Sequence, residues 1–347
     1  MVKISVIIPA YNVENYIEKT LKSLTLQTFK DFEVIIVNDG STDNTENKIN
    51  SILKNADFPW KLLKQQNQGA SAARNKGLSE VKGEYVSFLD GDDYYNVFFL
   101  EKMYNKAKEN DYDMVVCSYI LISENEKIIS KSLQLDDLLG KPLNGKDFLK
   151  IILQKEIQPT ISSIIFKKKL LIDNNLIFTK KCTNGEDVEF SIKALFHSRL
   201  VISVPEPLVF YVKRKSSASQ ESTVRVFHFV GAMKRVLRYL EKNHAEDELL
   251  FLIKHKRIPQ AYITSLAKIS KSKNPENKKI LLKVIKNPKV KETLLNYQPK
   301  SWKEKLKLKT LIYFPRLFYL VYNKRLNNLA LLQKVWVEKM KDKLMIK

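Results

Sequence analysis

The first 120 residues predict an α/β fold built on a parallel, doubly wound sheet. Short apolar runs of strand length alternate there with segments whose apolar residues recur at helical spacing. The acidic and glycine-containing segments follow directly after the apolar runs, at the carboxyl ends of strands where sheets of this class gather ligands.

Lys3–Ile8 (KISVII), Glu33–Val37 (EVIIV) and Tyr85–Leu89 read as strands buried on both faces. Trp60–Leu63 and Met114–Ile120 complete the set. Asn12 is placed to cap a helix with Ile17, Leu21 and Leu24 on one face. Asp43 and Glu46 have capping-box spacing ahead of Ile49, Ile52 and Leu53. Gly69–Leu78 reads as a helix of small residues, and Leu100, Met103, Tyr104 and Ala107 mark another. From Asp147 the pattern is mixed. Ile161–Phe166 reads as a strand, Val188–Phe196 as a helix, and Leu200–Val204 and Leu208–Lys213 as two strands. After Ser222 only helical patterns remain, interrupted near Pro259, Pro275, Pro288 and Pro299.

Hydrophobic residues make up 44% of the 347, enough for a sizeable core. The net charge of +22 is unevenly spread: residues 1–110 hold 14 basic and 15 acidic side chains, the remainder 46 and 23. A basic second part favours anionic partners such as phosphate polymers, anionic lipid surfaces or nucleic acid, or else reflects solvated lysine faces. Cys117 and Cys182 form no CxxC pair and read as free thiols of a reducing compartment; the four scattered histidines suggest no zinc site. Val2–Ile8 has no basic leader or cleavage site, and no run of about 18 apolar residues suggests a membrane span. The expected location is the cytoplasm, against the inner face of the membrane.

Four segments carry chemistry. In Leu89-Asp90-Gly91-Asp92-Asp93, three carboxylates in four residues repel unless a cation or hydrogen bonds compensate, and hard oxygen ligands of this kind suit Mg²⁺ or Mn²⁺. The same turn also reads as an acidic helix cap. In Asn38–Asp43, Asp39 offers an acceptor for the imide of uracil, and Gly40 permits close backbone approach. In Gln66–Asn75, small residues open a helix and Arg74 can meet a phosphate. In Thr183–Phe190, Glu186 and Asp187 sit in a first helical turn, where acidic residues also simply complement the dipole.

Together these segments resemble family 2 of the glycosyltransferases, with the GT-A fold. The matching stretches are Ser5–Asn12, Val37–Asp43, Asn67–Asn75, Phe88–Asp93 and Gly185–Asp187, in the family's order, and the resemblance covers about residues 1–215. It implies a Rossmann-like mixed sheet followed by a helical C-terminal region. It implies that Pro9 and Tyr11 lie beside the nucleoside, that Asp39 reads uracil, and that Asn67 and Arg74 run along the nucleotide. Asp90, Gly91 and Asp92 form the DxD element, with Asp92 and Asp90 toward the metal. Asp187 matches the catalytic base, with Glu186 beside it. Two departures stand out: Asn38 replaces a frequent Asp, and in Tyr211–Ser219 Val212 stands where an Arg is common, leaving Lys213 or Arg214 to supply charge near the diphosphate.

The expected activity is metal-dependent, inverting transfer from a UDP-sugar to a hydroxyl of a polysaccharide, teichoic acid or lipid-linked glycan, with Asp187 as general base. The corresponding organisation is a catalytic domain over 1–220 (nucleotide-binding 1–120, acceptor-side 121–220), a helical region 221–299 and a basic amphipathic segment 300–347. That last segment has 13 basic and 3 acidic residues interleaved with aromatics including Trp302, Phe318 and Trp336, which suggests an interfacial element or packing on the body or a second subunit. Charge and aromatics also fit a nucleic-acid-binding protein, but no recognisable motif accompanies them. A sugar-nucleotide pyrophosphorylase is the nearest enzymatic rival, and it should lack the Gly185–Asp187 element.

Overall fold

The computed structural model describes residues 1–131, 138, 140–157, 159–214, 224–272, 274, 276–299 and 301–322. Among the described residues nine strands form one sheet: β1 (Ile4–Ala10), β2 (Phe32–Asn38), β3 (Trp60–Lys64), β4 (Tyr85–Phe88), β5 (Tyr94–Tyr95), β6 (Met114–Ser123), β7 (Ile128–Lys131), β8 (Ile164–Lys167) and β9 (Val201–Lys213). Their order is β3-β2-β1-β4-β8-β6-β9-β5, with β7 also on β6. The helices are α1 (Ile17–Thr25), α2 (Thr45–Leu53), α3 (Ala70–Leu78), α4 (Phe99–Glu109), α5 (Gly145–Lys155), α6 (Lys168–Asp173), α7 (Glu186–His197), α8 (His228–Lys242), α9 (Asp247–Phe251), α10 (Ile258–Ser270), α11 (Glu276–Lys286), α12 (Pro288–Leu295), α13 (Trp302–Tyr313) and α14 (Pro315–Tyr322).

The parallel expectation holds for β3, β2, β1 and β4. It fails at β8, which lies antiparallel between β4 and β6, so the sheet is mixed. An apolar run reads the same in either direction, which is why the sequence does not reveal the reversal. The two strands expected over 200–213 are one, β9, whose pairing with β6 shifts register where Pro205 and Pro207 interrupt it. Proline has no N–H for the ladder, so the chain bulges instead of breaking. In Ile161–Phe166 only the second half is strand; Ile161–Ser163 is a 3₁₀ turn.

Neither expected cap forms as the spacing suggests: Asn12 bonds a distant loop instead, and Asp43 joins a local bond to the start of α2 with one to the β1 loop. Asn12 has φ +50 and accepts from Thr42 N at 2.8 Å, while α1 starts from Tyr16 without a side-chain cap. Asp43 accepts from Glu14 N and Thr45 N, both at 3.1 Å. Glu46 accepts from Asn38 Nδ2 at 3.0 Å and closes no capping box. These residues tie the β1 and β2 loops together, a use that local spacing cannot show.

Alternation along β1 feeds both faces of the sheet. Val6 and Ile8 join a core with α1, α2 and α4; Ile7 joins a second core with Phe148, Phe190 and the C-terminal helices as far as Phe318. The helical region therefore shares the core of the sheet's second face. Leu306, Leu308, Leu311 and Ile312 are buried in it, while Trp302, Tyr313 and Phe314 are exposed. For this part of the basic segment the packing reading holds; the rest, Trp336 included, lies outside the described residues. Among the described residues no helix is long and apolar enough to cross a membrane.

Phe190 of α7 is the hub of the second core. It stacks on Phe178 with centroids 4.0 Å apart and meets Phe88 and Phe166 edge-on, each at 5.5 Å. Phe190→Ala should cost about 3–5 kcal/mol, the usual range for deleting a buried ring. Denaturant unfolding checks this, and a loss under about 1 kcal/mol would contradict the packing.

Candidate active site

Four segments meet along one edge of the parallel strands: Pro9–Asn12 at the end of β1, Asp39 after β2, Gln65–Gly69 after β3 and Asp90–Asp92 after β4. Strand order reverses between β1 and β4, the switch point where open α/β sheets form a crevice.

Asp39 is buried and organises the first of these loops. Its Oδ1 accepts from Gln65 Nε2 and Gln68 N, its Oδ2 from Gly69 N, each at 2.8 Å. Gly40 has φ +75, and a Cβ there would stand 3.0 Å from Asn67 N, so the close backbone approach it permits is to this loop. Asn67 and Tyr11 are exposed at the edge, and Pro9 is half-buried. Gly91 is buried against Pro9 O and Val13, which seats the acidic turn on β1.

Arg74, on α3, is 3% exposed and joins two acidic motifs 96 residues apart in the chain. Its Nη2 lies 2.6 Å from Asp90 Oδ1 and its Nη1 3.3 Å from Glu186 Oε1. Burial opposes its charge, but Asp90 and Glu186 more than offset this and hold it above the usual arginine range. On the far side of the acidic turn, Arg214 Nε stands 2.5 Å from Asp92 Oδ2, and its guanidinium lies 5.0 Å over the Tyr16 ring. Nε points its hydrogen at no acceptor there, so this contact is Coulombic. Of the two basic residues expected near the diphosphate, Arg214 is in the site, and Lys213 is exposed on β9. Asp93 turns inward: fully buried, it accepts from Val212 N at 3.0 Å and Ser162 Oγ at 3.1 Å, tying the turn to β9. Among three neighbouring carboxylates, only Asp90 and Asp92 face the crevice.

Burial, against the pull of Arg214, pushes Asp92 up to about 6. Burial and then Asp187 push Glu186 up to about 7, Arg74 opposing; burial also raises Asp187. Gly185 begins α7 at φ +85, and a Cβ would come 2.4 Å from Phe229 Cδ2, so glycine is required where the helix delivers Glu186 and Asp187. Asp187 lines a cavity of about 460 Å³ with Tyr211, Phe229, Arg257, Gln260, Lys268 and Lys307 among its walls. The sequence reading missed these wall residues. Most come from C-terminal helices that hold no motif, so only tertiary packing finds them.

The acidic pair fits a divalent cation. Asp90, Asp92, Glu186 and Asp187 outnumber Arg74 and Arg214, and within the Asp90–Asp92 pair the arginines engage only Oδ1 of Asp90 and Oδ2 of Asp92, Arg74 reaching Glu186 as well. Among the described residues no group of three or more acidic, His or Cys ligands forms a protein cage. Mg²⁺ and its like commonly bind through one or two carboxylates together with substrate phosphates, and that is the donor set available here.

A mixed sheet with an acidic turn at its switch point, followed by a helical region, has the GT-A fold. The model of glycosyl transferase family 2 matches residues 5–172, and the chain belongs to that family. GlyA of Streptococcus pneumoniae, a glycosyltransferase, is 32% identical over 69% of this chain and 34% of its own length. Poly(ribitol-phosphate) β-N-acetylglucosaminyltransferase TarP of Staphylococcus aureus is 34% identical over 57% of this chain and 59% of its own. The chain thus spans a third of the first relative and under two thirds of the second. The crystal structure of S. aureus TarS 1–349 with UDP-GlcNAc superposes with TM-score 0.63, at 21% identity, covering 91% of this chain and 92% of that one. Membership of a glycosyltransferase family favours the transferase reading over the nucleic-acid-binding and pyrophosphorylase readings.

The raised Glu186 has a stability consequence. The folded protein holds a proton that the unfolded chain releases above the ordinary value of 4.5, so this contribution is complete below that value and is lost as pH rises through about 7. Glu186→Gln should therefore narrow the fall in Tm between about pH 5 and pH 8. An unchanged or steeper fall in a calorimetric pH series would contradict the assignment.

Proposed function

We propose that this glycosyltransferase moves a sugar, with inversion, from a UDP-sugar to a hydroxyl of a cell-surface polysaccharide, teichoic acid or lipid-linked glycan. The observation that carries the reading is the division of carboxylates around Arg74: Asp90 and Asp92 on the strand side, Asp187 facing the cavity. The UDP-GlcNAc held by TarS and the poly(ribitol-phosphate) acceptor in TarP's name support the donor and acceptor classes.

Asp39 has acceptor capacity left on Oδ2 for the uracil imide, beyond its bond from Gly69 N. Pro9, Tyr11 and Asn67 border the nucleoside, and Arg214 neutralises charge beside the diphosphate, with Lys213 at the rim. Asp92 and Asp90 would hold Mn²⁺ or Mg²⁺, which supplies Lewis-acid stabilisation of the leaving diphosphate. Asp187 takes the acceptor proton as the oxygen attacks the anomeric carbon. Its raised affinity for protons suits that task, and the α7 N-terminus favours its ionised form between turnovers. Glu186, held by Arg74, keeps the first turn of α7 in register. Attack from the side opposite the diphosphate inverts configuration without a covalent nucleophile. The domain bounds 1–220, 221–299 and 300–347 and a cytoplasmic, membrane-peripheral setting go with this reading.

Asp187→Asn should lower kcat about 10²–10⁴-fold, the usual worth of a general base, and leave UDP affinity nearly unchanged. Asp92→Asn should weaken Mn²⁺-dependent UDP binding as well as turnover. Excess EDTA should abolish transfer, and calorimetry should find UDP tighter than GDP. Near wild-type transfer by Asp187→Asn, or full activity in EDTA, would overturn the corresponding assignment.

A further inference from the structure

The cavity beside Asp187 contains an arrangement that proton abstraction does not need. Arg257, on a helix that packs against the catalytic sheet's second core, is 8% exposed and lines the cavity. Its Nε is buried with no hydrogen-bond partner, and its Nη1 reaches Gln260 Oε1 only at 3.5 Å. A guanidinium presents five donors, and burying them without acceptors is costly. Two further cations, Lys268 of α10 and Lys307 of α13, line the same space.

The backbone helps set this arrangement. Pro259 has no N–H for the carbonyl of His255 one turn earlier, and between α9 and α10 the chain widens into a π turn, Leu252–Arg257, closed by Ile258 N donating to Ile253 O. Arg257 is the last residue of that turn. Burial lowers the proton affinity of Lys268 and of Lys307, and each also feels Lys271. Burial likewise lowers that of Arg257, against Glu156 and Tyr297. Besides Asp187, two carboxylates share the lining and both are engaged: Glu156 by Gln260 Nε2 at 2.6 Å and Lys256 at 3.7 Å, and Glu304 by the Tyr297 hydroxyl at 2.7 Å, with Lys307 also in its field. An anion entering between Arg257, Lys268 and Lys307 would meet the guanidinium and both ammonium groups where they line the cavity. Oxygen-rich, multiply accepting anions match that donor set best, as phosphate matches arginine.

We propose that Arg257, Lys268 and Lys307 form an anion subsite for the acceptor, holding a phosphate diester of a polyol or sugar phosphate while the neighbouring hydroxyl reaches Asp187. This rests on the reading of Asp187 as the acceptor-side base. It narrows the acceptor to one carrying phosphate close to the reacting hydroxyl, and it assigns the helical region a part in substrate choice. The donor's diphosphate is the other source of such an anion, and it should be held at Asp92 and Arg214 instead.

The test is calorimetric titration of the full chain with a glycerol phosphate oligomer, a neutral oligosaccharide of equal length, and UDP with Mn²⁺. The phosphate oligomer should bind, more weakly at higher salt, and the neutral one should not compete. Arg257→Gln and Lys268→Gln should each weaken oligomer binding about tenfold or more, the loss expected for one charged hydrogen bond, with UDP affinity unchanged. Should Arg257→Gln unfold, Lys268→Gln and Lys307→Gln carry the comparison, since both lysines are only partly buried. Unaltered oligomer binding in the folded variants, or equal binding of the neutral oligomer, would overturn the subsite. Parallel loss of UDP affinity would also overturn it, by assigning the cations to the donor. A wild-type chain that binds the oligomer through these residues but binds no UDP would leave the subsite standing and remove the donor reading.

Discussion

Two acidic segments far apart in the chain are drawn together by a single buried guanidinium, Arg74, which pairs with Asp90 of one and Glu186 of the other. Without Arg74, Asp90 and Glu186 would face each other across a poorly solvated gap, and the first turn of α7 would lose its tie to the end of β4. Removing one partner from such a group leaves an uncompensated buried charge, which is why the arrangement behaves as a unit. The position of Arg74 depends in turn on α3, whose start is fixed by the three hydrogen bonds that Asp39 receives from the Gln65–Gly69 loop. Asp39 thereby also positions the arginine that joins Asp90 to Glu186.

The acidic turn shows how one run of like charge is divided. Asp93 is withdrawn into the protein and satisfied by Val212 N and Ser162 Oγ. That anchoring points Asp90 and Asp92 outward, and it also fixes the end of β9, which carries Arg214 to Asp92. The departure from the family pattern at Val212 fits this geometry. Val212 is buried with its amide on Asp93, so the cation near Asp92 comes from Arg214 two residues later.

The helical region is part of the catalytic architecture. Its core is continuous with the second face of the sheet, and Phe229 seals Gly185 at the start of α7. The cavity at Asp187 exists because α10 and α13 close over that helix start. A C-terminal region of this kind can alter which acceptor fits without changing the nucleotide edge.

The sequence alone determined the strand–helix alternation and the carboxyl-edge loops, and it singled out Asp39, Arg74, Asp90, Asp92, Glu186 and Asp187 as candidates. These are local properties: apolar runs set strands, and the chemistry sits in short contiguous segments directly after them. It did not determine the antiparallel insertion of β8, because strand direction leaves no mark on an apolar run. It misassigned Asn12 and Glu46 as helix caps, because the side chain of Asn12 bonds a loop 30 residues away and that of Glu46 turns back to Asn38 at the end of β2. It left Lys213 and Arg214 undecided, and burial of Val212 decided between them. Arg257, Lys268 and Lys307 were invisible among many basic residues. Only folding distinguishes a solvated lysine from a buried cation facing a cavity, since that difference lies in what packs around the charge and not in the residue itself.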